Sequence, residues 1–244
     1  MIKDKVVLIT GAGSGIGKVT AHKFAAEGAK VVCADIKNAE KTADEIQKEG
    51  GTSIGISLDV SKLNSWNEAK EKIIKEFNSI DVLCNIAGIS EAVDIVDLDE
   101  DDFDNLININ LKGPYLGMKV ILPELLKKGS GKIVNIASLA AHIGLPGLPS
   151  YSASKGGVAS MTRQAAVEYA PKNIQINAVS PGIIETPILA TNPPEVTKQF
   201  TDATPAGRLG KPEDIANMVL YLSSDKSDFI SGEIIKVDGG WSAQ

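Results

Sequence analysis

Short runs of Val, Ile and Leu alternate along the chain with longer stretches of mixed polarity. The runs predict strands at 5–10, 30–35, 52–59, 81–86, 132–137, 174–180 and 233–238. Most are continuously apolar, as strands covered on both faces are, rather than alternating apolar and polar. The stretches between them run ten residues or more, with helical periodicity. In 66–77, for example, Trp66, Ala69, Ile73, Ile74 and Phe77 fall on one face. Strand–helix alternation of this kind predicts right-handed βαβ crossovers. The expected fold is α/β, a doubly wound, seven-stranded parallel sheet with helices on both faces. No repeat, low-complexity segment or linker divides the chain, so residues 1–244 form one domain.

Several segments depart from this rhythm. Residues 142–150 read as a loop between a strand and a helix, and residues 182–211 as a long Pro/Thr/Asn/Gly-bearing excursion. Both follow strand C-terminal ends, where open α/β sheets bind ligands. Within the excursion, 187–207 is expected to be a substrate lid. Pro187, Pro193, Pro194, Thr204-Pro205 and Gly207 break regular structure there, and Ile188, Leu189, Val196 and Phe200 supply an apolar inner face. The acids Asp99, Glu100, Asp101, Asp102 and Asp104 read as an N-cap and first turn rather than a cation site. Pro114 lies four residues after Asn110 in an otherwise helical stretch. It can donate no hydrogen bond to the Asn110 carbonyl, so a kink is expected there.

Composition narrows the function classes. The 244 residues are 43% hydrophobic and 23% charged, which is ordinary for a globular protein and excludes disorder. A net charge of −6 leaves no basic excess for nucleic acid. No apolar run approaches the ~20 residues of a membrane helix. Met1–Lys5 leads straight into an apolar strand without a signal-peptide pattern. A cytoplasmic location is therefore expected. The two cysteines, Cys33 and Cys84, sit in apolar runs with no CxxC partner or clustered His, so they read as buried thiols and no metal site is expected.

The candidate chemistry begins at Thr10-Gly11-Ala12-Gly13-Ser14-Gly15-Ile16-Gly17, which follows the first strand and opens a helix. It is not a strict G-x-G-x-x-G, but the physics is shared: glycines allow a tight turn and close approach of a pyrophosphate to free N–H groups at a helix N-terminus. Asp35 stands twenty residues after Gly15 at the end of the second strand. An acid there accepts from adenosine ribose hydroxyls and repels a 2′-phosphate, by about 4 kcal/mol at ~4 Å and an effective dielectric of ~20 before screening. NAD is therefore expected over NADP, with Lys37 as the one counter-signal. Downstream, Tyr151 and Lys155 are four residues apart on one helix face, and Ser138 precedes Tyr151 by thirteen residues at a strand end. A tyrosine at its usual pKa near 10 is a poor base at neutral pH, but a neighbouring ammonium stabilises the phenolate. The hydroxyl of Ser138 could hold a substrate oxygen against it.

Thr10-Gly11 with Gly15 and Gly17, Asn85-Ile86-Ala87-Gly88, Asn110, Ser138, Tyr151 with Lys155, Ser180-Pro181-Gly182 and the ending Val237-Asp238-Gly239-Gly240 together resemble the short-chain dehydrogenase/reductase family. The match is to its single-domain branch and covers the whole chain, in order. The resemblance implies a Rossmann-type sheet in the order 3-2-1-4-5-6-7. It implies a cofactor site of Gly11, Ser14, Gly15, Ile16 and Gly17 at the pyrophosphate, with Asp35 at the ribose and Asp59 and Val60 flanking the adenine. Asn85, Ala87, Gly88, Pro181 and Gly182 would line the cofactor, and Ile184 and Thr186 would hold the carboxamide. In the implied catalytic set Tyr151 exchanges a proton with the alcohol or carbonyl oxygen and Ser138 positions that oxygen. Lys155 binds the nicotinamide ribose and lowers the tyrosine's pKa, while Asn110 supports a water relay to Lys155. The implied hydride is the pro-S one. One departure is Ile86, where many members carry a second Asn.

In the implied strand order the two cysteines would stand two strand spacings apart, ~9–10 Å, too far for a disulfide. Segments 103–127 and 151–170 are apolar or small nearly all round, which calls for a second partner beyond the sheet; the resemblance implies a homotetramer. The expected function is an NAD-dependent oxidoreductase for a secondary alcohol or ketone. The competing readings are a 3-oxoacyl-[acyl-carrier-protein] reductase and a dinucleotide-sensing protein without catalysis. Leu139, Ala140, His142, Leu145, Leu148 and Leu189 are the candidate substrate-pocket residues.

Overall fold

The computed structural model describes residues 2–187, 189 and 193–243. Seven parallel strands form one sheet: β1 Val6–Thr10, β2 Lys30–Asp35, β3 Thr52–Ser57, β4 Val82–Asn85, β5 Gly131–Ile136, β6 Ile174–Pro181 and β7 Ile234–Val237. Their order is β3-β2-β1-β4-β5-β6-β7, the doubly wound Rossmann arrangement expected from the sequence. The winding reverses between β1 and β4, so the crevice for a ligand opens above their C-terminal ends.

Alternation along β1 explains the two layers. Val6 and Leu8 join one apolar core with Trp66, Leu116, Ile121 and Leu125. Val7 and Ile9 join another with Phe24, Ile46, Ile215 and Val219. The helices α1 Gly15–Ala26, α2 Ala39–Lys48 and α8 Pro212–Ser223 supply the second core, and α3 Leu63–Phe77, α5 Gly113–Lys128 and α6 Pro149–Tyr169 the first. Trp66 is fully buried and its indole N–H donates to the Val60 carbonyl at 2.9 Å, so its one polar atom costs nothing in the core. Cys33 and Cys84 both lie level with Ile9, on opposite sides of β1, and are free and buried. Burial pushes both thiols up to about 12.

The Pro114 region is neither a straight helix nor a clean break. The helix α4 Glu100–Ile107 runs through a π turn, Asn108–Lys112, into α5. The wider turn is closed by the Gly113 N–H on the Asn108 carbonyl, which places Pro114 in the first turn of α5, where a missing N–H is tolerated. The acids ahead of it stand as read: Asp99 at the N-cap and Glu100, Asp101 and Asp102 in the first turn.

The expectation of an irregular 187–207 is corrected. Residues 194–203 form a helix, α7 Pro194–Ala203, with the proline at its start, where its fixed φ suits a helix. The two ends of the excursion are joined, since Gly210 N–H donates to Ile183 and Glu185 N–H to Gly210, at 2.9 and 2.8 Å. Phe200 packs edge-on to Trp241 near the C-terminus. Ile188, assigned to the lid's inner face, lies outside the described residues.

Leu116, Met118, Ile121, Leu122 and Leu125 of α5, and Ala159, Ala165 and Ala166 of α6, are buried within the single chain. They need no second partner, contrary to the reading of these segments. The outward large apolar residues here are instead Phe103, Tyr115, Leu126 and Val167. No helix among the described residues is long and apolar enough to cross a membrane.

Candidate active site

A cleft of about 1080 Å³ lies above the C-terminal ends of the strands. That is at the upper end of the usual ~300–1,000 Å³ of ligand pockets, with room for a dinucleotide and a small substrate together. Gly11, Ser14, Gly15, Ile16, Gly17, Asp35, Asp59, Val60, Ala87, Gly88, Ser138, Tyr151, Lys155, Pro181, Gly182, Ile184 and Thr186 all line it. Residues more than 170 positions apart are thus brought to one wall by the sheet alone.

At the switch point the Thr10 hydroxyl accepts from the N–H groups of Ile86 and Ala87, at 3.0 and 3.1 Å. This draws the chain after β4 against the glycine turn. The glycines there answer to the protein's own packing more than to a ligand. A Cβ on Gly11 would stand 2.8 Å from the Ala87 Cα, on Gly13 2.0 Å from the Lys37 carbonyl oxygen and on Gly17 2.1 Å from the Gly11 oxygen. Gly15 is different. Its φ is +50°, and an added Cβ would meet nothing nearer than 3.8 Å, where a side chain would fill the mouth of the α1 N-terminus. The first-turn N–H groups there have no helical partners and suit a pyrophosphate. Asp35 is held ready, its carboxylate accepting from the Gly13 and Lys37 N–H groups at 2.9 and 3.0 Å. These features fit a nicotinamide dinucleotide. Gly13→Ala is expected to push the turn away from Lys37, raising the dinucleotide Kd at least tenfold and lowering Tm by several degrees; titration and thermal melting check it.

Ser138, Tyr151 and Lys155 converge at the bottom of the cleft. Ser138 caps a short 3-10 turn, its Oγ accepting from the Ala140 N–H at 3.2 Å, and its hydroxyl stands near enough to the Tyr151 phenol to favour the phenolate. Lys155 is buried, donates to the Ile136 carbonyl at 2.9 Å and lies 5.5 Å from the centre of the Tyr151 ring. Burial pulls this ammonium down from 10.5 to about 8. The expected lowering of the Tyr151 pKa by Lys155 is not what the protein alone produces. Burial raises the phenol above its ordinary value, the nearby Ser138 hydroxyl offsets only part of that, and the ammonium is turned to Ile136.

Asn85 and Asn110 do not line the cleft. Asn85 is corrected from a cofactor neighbour to an interior strut. Its amide donates to Asn135 at 2.8 Å, and Asn135 donates to Thr162 at 2.9 Å, tying β4 and β5 to α6. Asn110 is fully buried and brackets one residue, accepting from the Ile89 N–H at 2.9 Å and donating to its carbonyl at 2.8 Å. Of the pocket candidates, Leu139, Leu145, Leu148 and Leu189 line the cleft. Ala140 and His142 do not, and the His142 Nε2 lies 2.9 Å from the Ser180 hydroxyl. Burial, then the positive charges of Lys236 and Arg163, keep this histidine below its usual pKa.

Sequence reading missed Glu91. Its carboxylate accepts from the Tyr151 N–H at 2.9 Å and from the Ser150 hydroxyl, and it lines the cleft. No spacing or periodicity links a loop glutamate to a helix start sixty residues on.

A profile of the family described as Enoyl-(Acyl carrier protein) reductase matches residues 11–242. The chain is 41% identical over 241 residues to the 3-oxoacyl-[acyl-carrier-protein] reductase FabG of Thermotoga maritima, covering 98% of each. It resembles an Agrobacterium tumefaciens structure, described as a candidate 2-deoxy-d-gluconate 3-dehydrogenase with bound NADP, at a TM-score of 0.92 and 39% identity, over 100% of this chain and 98% of that one. It also resembles the 3-ketoacyl-(acyl-carrier-protein) reductase of Brucella melitensis complexed with NADH, at a TM-score of 0.93 and 36% identity, over 99% of this chain and 100% of that one. Agreement over the whole length, in sequence as in fold, places the chain in the short-chain dehydrogenase/reductase family, as a single-domain oxidoreductase of CH–OH groups that works with a nicotinamide cofactor.

Proposed function

We propose that this protein is an NAD-preferring oxidoreductase that interconverts a secondary alcohol and a ketone, with Tyr151 as general acid/base. The observation that carries the reading is the meeting of Ser138, Tyr151 and Lys155 at the base of a cleft that begins at the glycine turn. Bound there, the nicotinamide supplies the hydride acceptor or donor, and in its oxidised form a positive charge that favours the phenolate. Ser138 is oriented by the Ala140 N–H as an acceptor, so its own proton can turn from the phenol to the substrate oxygen. Tyr151 gives or takes the proton of that oxygen. Lys155 holds the nicotinamide ribose and replenishes the tyrosine's proton. The side chain of Asn110 is committed to Ile89, so its part in a relay falls to its main-chain carbonyl, which has no N–H at position 114 to receive. A water there would link Lys155 to solvent.

The NAD preference rests on Asp35, whose carboxylate is fixed by two N–H groups where a 2′-phosphate would stand. kcat/KM with NAD(H) should exceed that with NADP(H) at least tenfold, and Asp35→Ala should narrow the ratio. Equal kcat/KM for the two cofactors in the wild type would refute the preference. Likeness to the Thermotoga and Brucella reductases favours 3-oxoacyl-[acyl-carrier-protein] reduction as the second reading. A panel of secondary alcohols set beside an oxoacyl thioester decides between them. Failure of every substrate with cofactor binding retained would leave the dinucleotide-sensing reading.

The exposed Phe103, Tyr115 and Val167 belong to a homotetramer interface in this reading, which sedimentation would test. A lid role for 187–207 draws on Leu189, Val196 and Phe200, which line the cleft. Hydrogen exchange equally slow with and without ligand would count against it.

A further inference from the structure

The segment after β4 crosses the substrate end of the cleft and is pinned at alternate residues. Ile89 is held on both sides by Asn110, Glu91 by Ser150 and Tyr151, and Val93 by its N–H on the Gly147 carbonyl at 3.0 Å. Glu91 is the charged member of the three. One of its oxygens takes the N–H of the catalytic tyrosine itself and the other the hydroxyl of the residue before it, so the carboxylate cannot swing away.

The other charges along the cleft make this consequential. Among the described lining residues these are Asp35, Lys37 and Asp59 at the adenosine end, and Glu91, Asp94 and Lys155 at the other. Lys155 is buried and already donates to Ile136. At the substrate end this leaves two carboxylates and no uncommitted cation, set among apolar residues such as Leu145, Leu148 and Leu189.

We propose that Glu91 is a specificity-determining residue which restricts the substrate to uncharged alcohols and ketones and rejects those bearing a carboxylate or phosphate. With the reduced cofactor, a substrate anion would enter beside a fixed like charge, among side chains that offer its own charge no partner, and it would lose its water on the way in. A neutral substrate meets no such penalty, and its hydroxyls can donate to the remaining lone pairs of the carboxylate. This inference names the substrate class for the oxidoreductase reading and rests on it.

Matched ketones differing by one carboxylate supply the test: cyclohexanone with 4-oxocyclohexanecarboxylate, and methyl acetoacetate with acetoacetate. Their affinities for the NADH complex are read from nicotinamide fluorescence at pH 7, separately from turnover. The wild type should bind the neutral member at least tenfold more tightly. Glu91→Gln keeps an acceptor for the Tyr151 N–H and a polar partner for Ser150 while removing the charge. It should cut the discrimination at least fivefold and shift neutral-ketone binding by less than threefold. Glu91→Ala loses the clamp as well, so kcat should fall for both members together and Tm with it. Rescue of both by Gln separates positioning from charge. A wild-type ratio below threefold, or a ratio unmoved in Glu91→Gln, overturns the proposal. If the binding ratio behaves as stated but neither ketone turns over, the oxidoreductase reading falls and the charge selection stands.

Discussion

Tyr151→Phe is expected to lower kcat by about 10²–10⁴-fold, the usual cost of losing general acid–base help, with dinucleotide affinity within threefold of wild type. Phenylalanine keeps the ring that packs beneath Lys155 and removes only the hydroxyl that meets Ser138. The Lys155 bond to Ile136 is made without the phenol, so the ribose side of the site should survive. Fluorescence titration with NADH and steady-state rates on one alcohol measure both quantities on the same preparation. Activity within tenfold of wild type would remove Tyr151 from the proton path. Because burial holds the phenol above its ordinary pKa in the protein alone, the ionised form should be stabilised only with the oxidised cofactor bound. The alkaline shift of tyrosine absorbance should therefore move down in pH on adding NAD⁺ to the wild type, and by less in Tyr151→Phe.

Lys155→Met should abolish measurable turnover and weaken cofactor binding, yet make the cofactor-free protein more stable at pH 7. The ammonium is buried without an anionic partner, and its pKa falls from 10.5 to about 8. That shift corresponds to roughly 3 kcal/mol against the charged folded form. Methionine fills similar space with no charge but leaves the Ile136 carbonyl without its donor, which returns about 1 kcal/mol. A net gain of about 2 kcal/mol is expected, read by chemical denaturation. The sign of the pH dependence follows from linkage. Between the folded value near 8 and the unfolded value of 10.5, the unfolded chain binds the extra proton, so this lysine's penalty shrinks as pH rises through that window. Cys33 and Cys84 act in the opposite sense. Their thiols stay protonated in the fold up to about 12, so above pH ~8.5 they lower stability in wild type and variant alike. The difference between the two proteins isolates the lysine; it should shrink as pH rises from 8 and change sign before about 10.5, where the lost Ile136 hydrogen bond outweighs what remains of the charge penalty. A variant less stable than wild type at pH 7 would show that the buried ammonium is better accommodated than its surroundings indicate. A site that keeps an unpaired buried charge at a cost in stability is consistent with selection for activity over stability.

The seven strands, their parallel sense and the glycine turn were legible in the residues, because continuous apolar runs and helical periodicity are local properties set by which face each side chain must bury. The same holds for the spacing of Tyr151 and Lys155, which one helix turn fixes. The strand order came from resemblance rather than periodicity, and the sheet bears it out. The structure decided what depends on contacts between distant segments. It showed that Gly11, Gly13 and Gly17 are required by neighbouring backbone and Gly15 by conformation and open space. It moved Asn85 into a polar strut between strands, turned the Asn110 side chain onto Ile89, and made a helix of residues 194–203. It placed Glu91 on the first turn of the catalytic helix. A sequence fixes which groups a chain carries and how they repeat. Which of them meet, and how far burial then shifts a proton on Tyr151 or Lys155, depends on through-space distances and excluded water that exist only once the sheet has brought its strand ends together.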